Sequence, residues 1–193
     1  MAQSFILASG SPRRRELLQE AGYEFEVVSA PVSEVAHGWL TIREITTWNA
    51  GRKALRVARA FPDAVVLGAD TLVTIDGEVI GKPEDFEDAA KILRRLSGRA
   101  HEVWTAVCIC DFGRGRSHSF HEISRVHFRA LTEEAIASYL TKINPYDKAG
   151  AYAAQGHGAE IIERIDGSYT NVVGLPMETT AAALDACGIT AQA

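Results

Sequence analysis

Residues 64–83 read AVVLGADTLVTIDGEVIGKP, and the fold class turns on them. The run Ala64 to Asp70 is almost continuously apolar, the pattern of a strand covered on both faces. Asp76-Gly77 supplies the positive-φ pair that a tight hairpin turn needs, so a short antiparallel strand follows. A doubly covered strand that feeds a hairpin predicts an α/β protein with a mixed sheet.

The flanks agree with that reading. Toward the N-terminus, Ser4 to Ser9 reads as a strand entering the loop Ser9-Gly10-Ser11. Pro12 opens a helix there, with Ser11 placed to cap it. Leu17, Leu18 and Ala21 give that helix its buried face, and Gly22 ends it. Phe25 to Ser29 is a second short strand. Thr41 with Glu44 forms a capping box for a long helix reaching about Ala60, with Ile42, Ile45, Trp48, Leu55 and Ala58 as its apolar positions. Toward the C-terminus, Phe86 to Leu96 is a helix stopped at Gly98. His101 to Asp111 and Ser117 to Ala130 are long strands joined across Gly113-Arg114-Gly115. A helix from Thr132 to Lys142, a strand from Glu160 to Ile165 and a closing helix from Pro176 to Ala186 complete the chain. Residues 167–171 read as a tight turn, before Val172, Val173 and Leu175 as packing residues.

A chain of 193 residues suits one domain, taken as 1–193. Its 47% hydrophobic and 23% charged residues are enough for a core without disulfide or metal staples. A net charge of −5 argues against a dedicated nucleic-acid binder. The first apolar stretch, Phe5 to Ala8, is too short for a signal peptide, and no run approaches the roughly 20 residues of a membrane helix. Three cysteines, an odd number, point to a reducing cytoplasm. The expectations are a cytoplasmic protein with no nucleic-acid and no membrane partner.

Four stretches carry chemistry. In Ser9-Gly10-Ser11-Pro12-Arg13-Arg14 a glycine permits close approach, a helix begins with unpaired N–H groups, and two arginines fill its first turn. That arrangement favours an anion, the plain alternative being a capped helix with solvated arginines. Asp70-Thr71, at the expected end of the most buried strand, lies where open α/β sheets bind ligands, although an Asp there also serves as a turn residue. Gly81-Lys82-Pro83 is not a Walker loop, because only three residues separate Gly77 from Gly81 and Pro83 replaces the hydroxyl residue. Lys82 still offers a point charge to a phosphate. In Tyr146 to Tyr152 and Gln155-Gly156, small residues would let a flat ligand approach, and Gln can present a donor and an acceptor to a base edge. A glycine-rich surface loop is the alternative. Cys108 and Cys110 read as two buried thiols, and His118 and His121 fall on opposite strand faces, so neither pair makes a metal site.

Taken as an ordered series, these segments resemble the Maf family of nucleoside triphosphate pyrophosphatases. The resemblance runs through LASGSPRR at 7–14, Glu34, Lys53-Ala54, GADT at 68–71, GKP at 81–83, DKAGAY at 147–152, Gln155-Gly156 and GSYTNVVGLP at 167–176. The last two segments resemble the branch acting on dTTP and UTP. The resemblance implies a single α/β domain like that of inosine triphosphatases, with a central mixed sheet bent around a deep cleft and flanked by helices, and a homodimer in many members. It implies cleavage between the α- and β-phosphates to a nucleoside monophosphate and pyrophosphate. Asp70 would be the proton acceptor and Glu34 the second catalytic acid. Both would be ligands of a divalent cation, Mg²⁺ or Mn²⁺. Ser9, Ser11, Arg13, Arg14, Lys53 and Lys82 would bind phosphates. Arg13, Thr71 and Gln155 would set specificity, Gln155 pairing with the O4 and N3–H edge of uracil or thymine. Pseudo-UTP and 5-methyl-UTP present the same edge and become candidate substrates.

The implied role is house-cleaning of the nucleotide pool, with a link to arrest of cell division. The alternatives are the same chemistry on 7-methyl-GTP or ITP, or a sensor that binds without turnover. Ser33 departs from the family pattern, standing where many relatives carry a second acid. Residues 35–40 read as a mobile lid or a variable loop.

Overall fold

The central strand β3 (Val65–Ile75) is buried along nearly its whole length. It runs five residues beyond the end expected from its apolar run, because its partners change along it. Val65–Leu67 pair in parallel with β1 (Phe5–Leu7), and Val73–Ile75 pair antiparallel with β4 (Glu78–Ile80) across the Asp76-Gly77 turn. Both turn residues have positive φ, 55° and 79°, as the hairpin required. Asp70 therefore lies within the strand, between the two pairings, and not at its end.

The computed structural model describes residues 3–29, 31–35 and 39–192. The remaining strands are β2 (Glu26–Val27), β5 (Ala100–Asp111), β6 (Arg116–Phe128) and β7 (Ile162–Asp166). Among the described residues they form one seven-stranded sheet in the order β2-β1-β3-β5-β6-β7, with β4 on β3. β1 is parallel to β2 and β3, while β7 is antiparallel to β6, so the sheet is mixed. The helices are α1 (Pro12–Glu20), α2 (Ile42–Ala58), α3 (Phe86–Leu96), α4 (Glu133–Leu140), α5 (Tyr169–Val173) and α6 (Met177–Ala186). Two 3₁₀ turns, Ala149–Ala151 and Gly156–Glu160, precede β7. Much of residues 35–40, the lid-or-loop stretch, lies outside the described residues.

Contacts group the chain into two compact units, residues 1–70, 105–122 and 174–193 in one and residues 71–104 and 123–173 in the other. In the first, Ala50, Ala54, Val57 and Ala58 of α2 pack on Ile6, Val66, Ala106 and Cys108 of the strands. In the second, Leu93 and Leu96 of α3 and Ile136 and Tyr139 of α4 pack with Val73, Val103, Val126 and Phe128.

Three local expectations are corrected. Ser11 holds the N-cap position of α1, but its hydroxyl accepts no helix N–H, and its own N–H donates to Ser9 Oγ at 3.3 Å. α2 begins at the expected capping box, yet Trp48 and Leu55 point to solvent, 59% and 37% exposed, while the small residues face inward. The cause is Gly68: a Cβ there would stand 2.5 Å from Ala50 O and 2.6 Å from Ala54 N, so α2 crosses β3 where only alanines fit. Residues 169–173 form one helical turn, not a simple reversal. Asn171 drives it, fully buried and donating Nδ2 to Val103 O at 3.1 Å and Ser124 Oγ at 3.0 Å.

Candidate active site

The close crossing of α2 over Gly68 brings side chains one turn apart on α2 to the carboxylate two residues along β3. Asn49 and Lys53, at i and i+4, share a face. Lys53 Nζ donates to Asp70 Oδ1 at 2.7 Å, and Asn49 Nδ2 donates to Asp70 Oδ2 at 3.2 Å. Each carboxylate oxygen thus has one fixed donor and keeps a further lone pair for water or substrate.

Lys53 and Asn49 also hold the chain segment that carries the second acid. Lys53 Nζ donates to Glu34 Oε1 at 2.7 Å, so one ammonium joins a carboxylate that is 6% exposed to one that is 60% exposed. Asn49 clasps the Val35 backbone, accepting its N–H at 2.9 Å and donating to its carbonyl at 3.2 Å. Arg52 Nη1 donates to Ser33 O at 2.7 Å. Asn49 and Arg52 were not among the sequence candidates. Nothing local in the sequence marks them, because the group each one holds lies elsewhere along the chain.

The Ser9–Ser11 loop is set by Arg14. This guanidinium is 8% exposed, and it donates Nη1 to Ser9 Oγ at 3.1 Å and Ala69 O at 2.9 Å, and Nε to Gly174 O at 2.8 Å. Three N–H groups are spent on the protein itself, so Arg14 ties the loop to the β3 residue next to Asp70. Arg13, the other arginine of the first turn, is half-buried.

Burial pushes the Asp70 carboxyl up from the ordinary carboxylate range, against the lowering pull of Lys53. Burial likewise lowers Arg14, with Asp70 opposing the shift. A raised, oriented carboxylate beside a fixed ammonium is equipped to take a proton from water and to meet an anion.

Ser9, Arg14, Glu34, Lys53 and Asp70 are thus gathered in the first unit. Thr71, Lys82 and Gln155 belong to the second, where Thr71 is half-buried, Lys82 is exposed just after β4, and the half-buried Gln155 stands at the N-cap of the second 3₁₀ turn. Gly150 N–H donates to Gly81 O at 3.1 Å, tying the segment leading to Gln155 to the loop that carries Lys82. Among the described residues no group of three or more His, Cys, Asp or Glu side chains is placed to hold a metal ion by itself. Mg²⁺ is commonly held by one or two carboxylates together with substrate phosphates. Asp70 and Glu34, hard oxygen donors gathered on one ammonium, fit that sparse donor set.

This is an α/β protein with an acid–lysine centre in which Lys53 joins the buried Asp70 to the exposed Glu34. The chain belongs to the Maf family: the model described as Maf-like protein matches residues 4–187. Among curated relatives, it is 49% identical over 175 residues to the dTTP/UTP pyrophosphatase of Aquifex aeolicus (strain VF5), covering 89% of each chain. It is 46% identical over 175 residues to the dTTP/UTP pyrophosphatase of Pelotomaculum thermopropionicum, covering 91% of this chain and 92% of the relative. A solved structure, that of the Staphylococcus aureus Ham1 protein, superposes with a TM-score of 0.47 and 16% identity, covering 65% of this chain and 71% of its own.

Proposed function

We propose that this protein is a nucleoside triphosphate pyrophosphatase that cleaves dTTP and UTP between the α- and β-phosphates. Support comes from the curated relatives of that name at 43–49% identity over most of the chain. The observation that carries the chemistry is the buried Asp70 carboxylate held between Lys53 and Asn49.

Asp70 takes the proton of the attacking water as its oxygen bonds to phosphorus, and the bond between the α- and β-phosphates breaks. Pyrophosphate leaves, and the nucleoside monophosphate remains. Lys53 holds Asp70 in place while its charge offsets that of the phosphates, and Asn49 keeps the second carboxylate oxygen from turning away. Arg14 shapes the Ser9–Ser11 loop, so that Ser9, Ser11 and Arg13 meet phosphate oxygens, and Lys82 adds a cation from its exposed loop. A divalent cation held by Asp70 and Glu34 supplies neutralisation of phosphate charge when bound. Thr71, Arg13 and Gln155 choose the base. The O4 and N3–H edge is unchanged by 5-methylation or in pseudouridine, so those triphosphates are substrates too. The reaction removes such nucleotides from the cytoplasmic pool.

Asp70→Asn keeps the shape and the lysine contact but lacks a basic oxygen. Its turnover of UTP should fall by a factor of about 10² or more, with the melting transition retained. Near-normal turnover would reject Asp70 as the base.

A further inference from the structure

The segment that presents Gln155 follows a backbone turn that an L-residue does not adopt freely. Gly150 has φ of 76°, and the fully buried Ala151 has φ of 58°. A left-handed alanine persists only where its surroundings hold it. Two supports stand just behind it in the second unit. The Tyr152 ring is buried edge-on against Phe128 and His101, with centroids at 4.9 Å and 5.3 Å, and its hydroxyl meets His101 Nε2 at 2.8 Å. The Tyr139 hydroxyl accepts the Ala153 N–H at 3.0 Å and donates to the Ala153 carbonyl at 3.3 Å. Both main-chain groups of a residue two positions before Gln155 are therefore fixed by one phenol.

Such a support matters because of what a glutamine amide can do. Uracil needs a donor at O4 and an acceptor at N3–H, whereas cytosine needs the reverse. An amide that is free to turn over satisfies either base. Selection therefore depends on holding the side chain and its backbone in one register. Tyr139 supplies two directional bonds from a ring packed in the core with Ile136 and Phe128.

We propose that Tyr139 is a positioning residue for base selection, fixing the segment that carries Gln155, with the Tyr152–His101 pair as its second support. The inference rests on the base-reading role of Gln155 proposed above. Tyr139→Phe tests it, because the ring and its packing stay while both bonds to Ala153 are lost. Tyr152→Phe removes only the tie to His101.

The measurement is kcat and KM for UTP and CTP in the unaltered protein, Tyr139→Phe, Tyr152→Phe and Gln155→Ala, each with its melting temperature. Gln155→Ala should abolish the preference for UTP. Tyr139→Phe should cut that preference by roughly fivefold, the scale of one lost hydrogen bond, through a higher KM for UTP with kcat within about twofold. Tyr152→Phe should shift it the same way by less, and it carries the test alone if Tyr139→Phe does not fold. A merely structural role would lower activity on both bases alike. If Gln155→Ala abolishes the preference while neither tyrosine variant moves it, the positioning role is overturned and the base reading stands. If Gln155→Ala itself leaves the preference intact, the base reading falls and takes the inference with it.

Discussion

Asp70 and His101 are both buried, and burial moves their titration in opposite directions. It raises the carboxyl and holds the imidazole down to about 4. For His101 the folded state binds fewer protons than the unfolded chain between about 4 and 6.5. Its contribution to stability is complete above the unfolded value and is lost as pH falls toward the folded one, about 3 kcal/mol across the window. His101→Gln should therefore flatten the acid side of the stability profile, read from urea unfolding between pH 7 and 4.5. Parallel acid limbs in the two proteins would show that His101 is not buried neutral. At this scale Asp70, Lys53 and Glu34 were legible because their types and order match a known series. Asn49 was not, because a helical asparagine has no meaning until the carboxylate it orients has been placed. The locking of Arg14 on three protein oxygens was equally hidden, since it depends on Gly174, 160 residues along the chain.

α2 joins local stability to the site. Its start was readable from four residues, and Thr41 and Glu44 make both halves of the capping box, Glu44 Oε2 accepting the Thr41 N–H at 2.8 Å. The Asp76-Gly77 turn was readable for the same reason, the signal being contained in the turn itself. Which face of α2 turns inward was readable only in part, since Ile45 and Ala58 are buried but Trp48 and Leu55 are not. Periodicity favoured Trp48 and Leu55, but the partner across the crossing is Gly68, and at that separation only Ala50 and Ala54 fit. Gly68→Ala should push α2 off β3, with a loss of about 2 kcal/mol and a melting temperature lower by about 5 °C. Activity should fall further than stability, because Asn49 and Lys53 leave Asp70 together. A variant melting within about a degree of the parent would mean the crossing is looser than its geometry implies.

Over the whole molecule, a chain of net charge −5 gathers cations beside its buried acid, with Arg14 and Lys53 close to Asp70 in the first unit. Among the described residues no helix is long and apolar enough to cross a membrane. The mixed sheet followed from the coexistence of hairpins and helical crossovers, whereas the division of contacts into two units left no mark in the sequence, since no linker or change of composition separates them. Membership of the Maf family and the buried Asp70 carboxylate held by Lys53 both support the proposed hydrolysis of nucleoside triphosphates. The most direct measurement is to incubate the purified protein with UTP and Mg²⁺ and identify the products. UMP and pyrophosphate in equal amounts are expected. UDP with inorganic phosphate, or UTP bound and recovered intact, would contradict cleavage between the α- and β-phosphates.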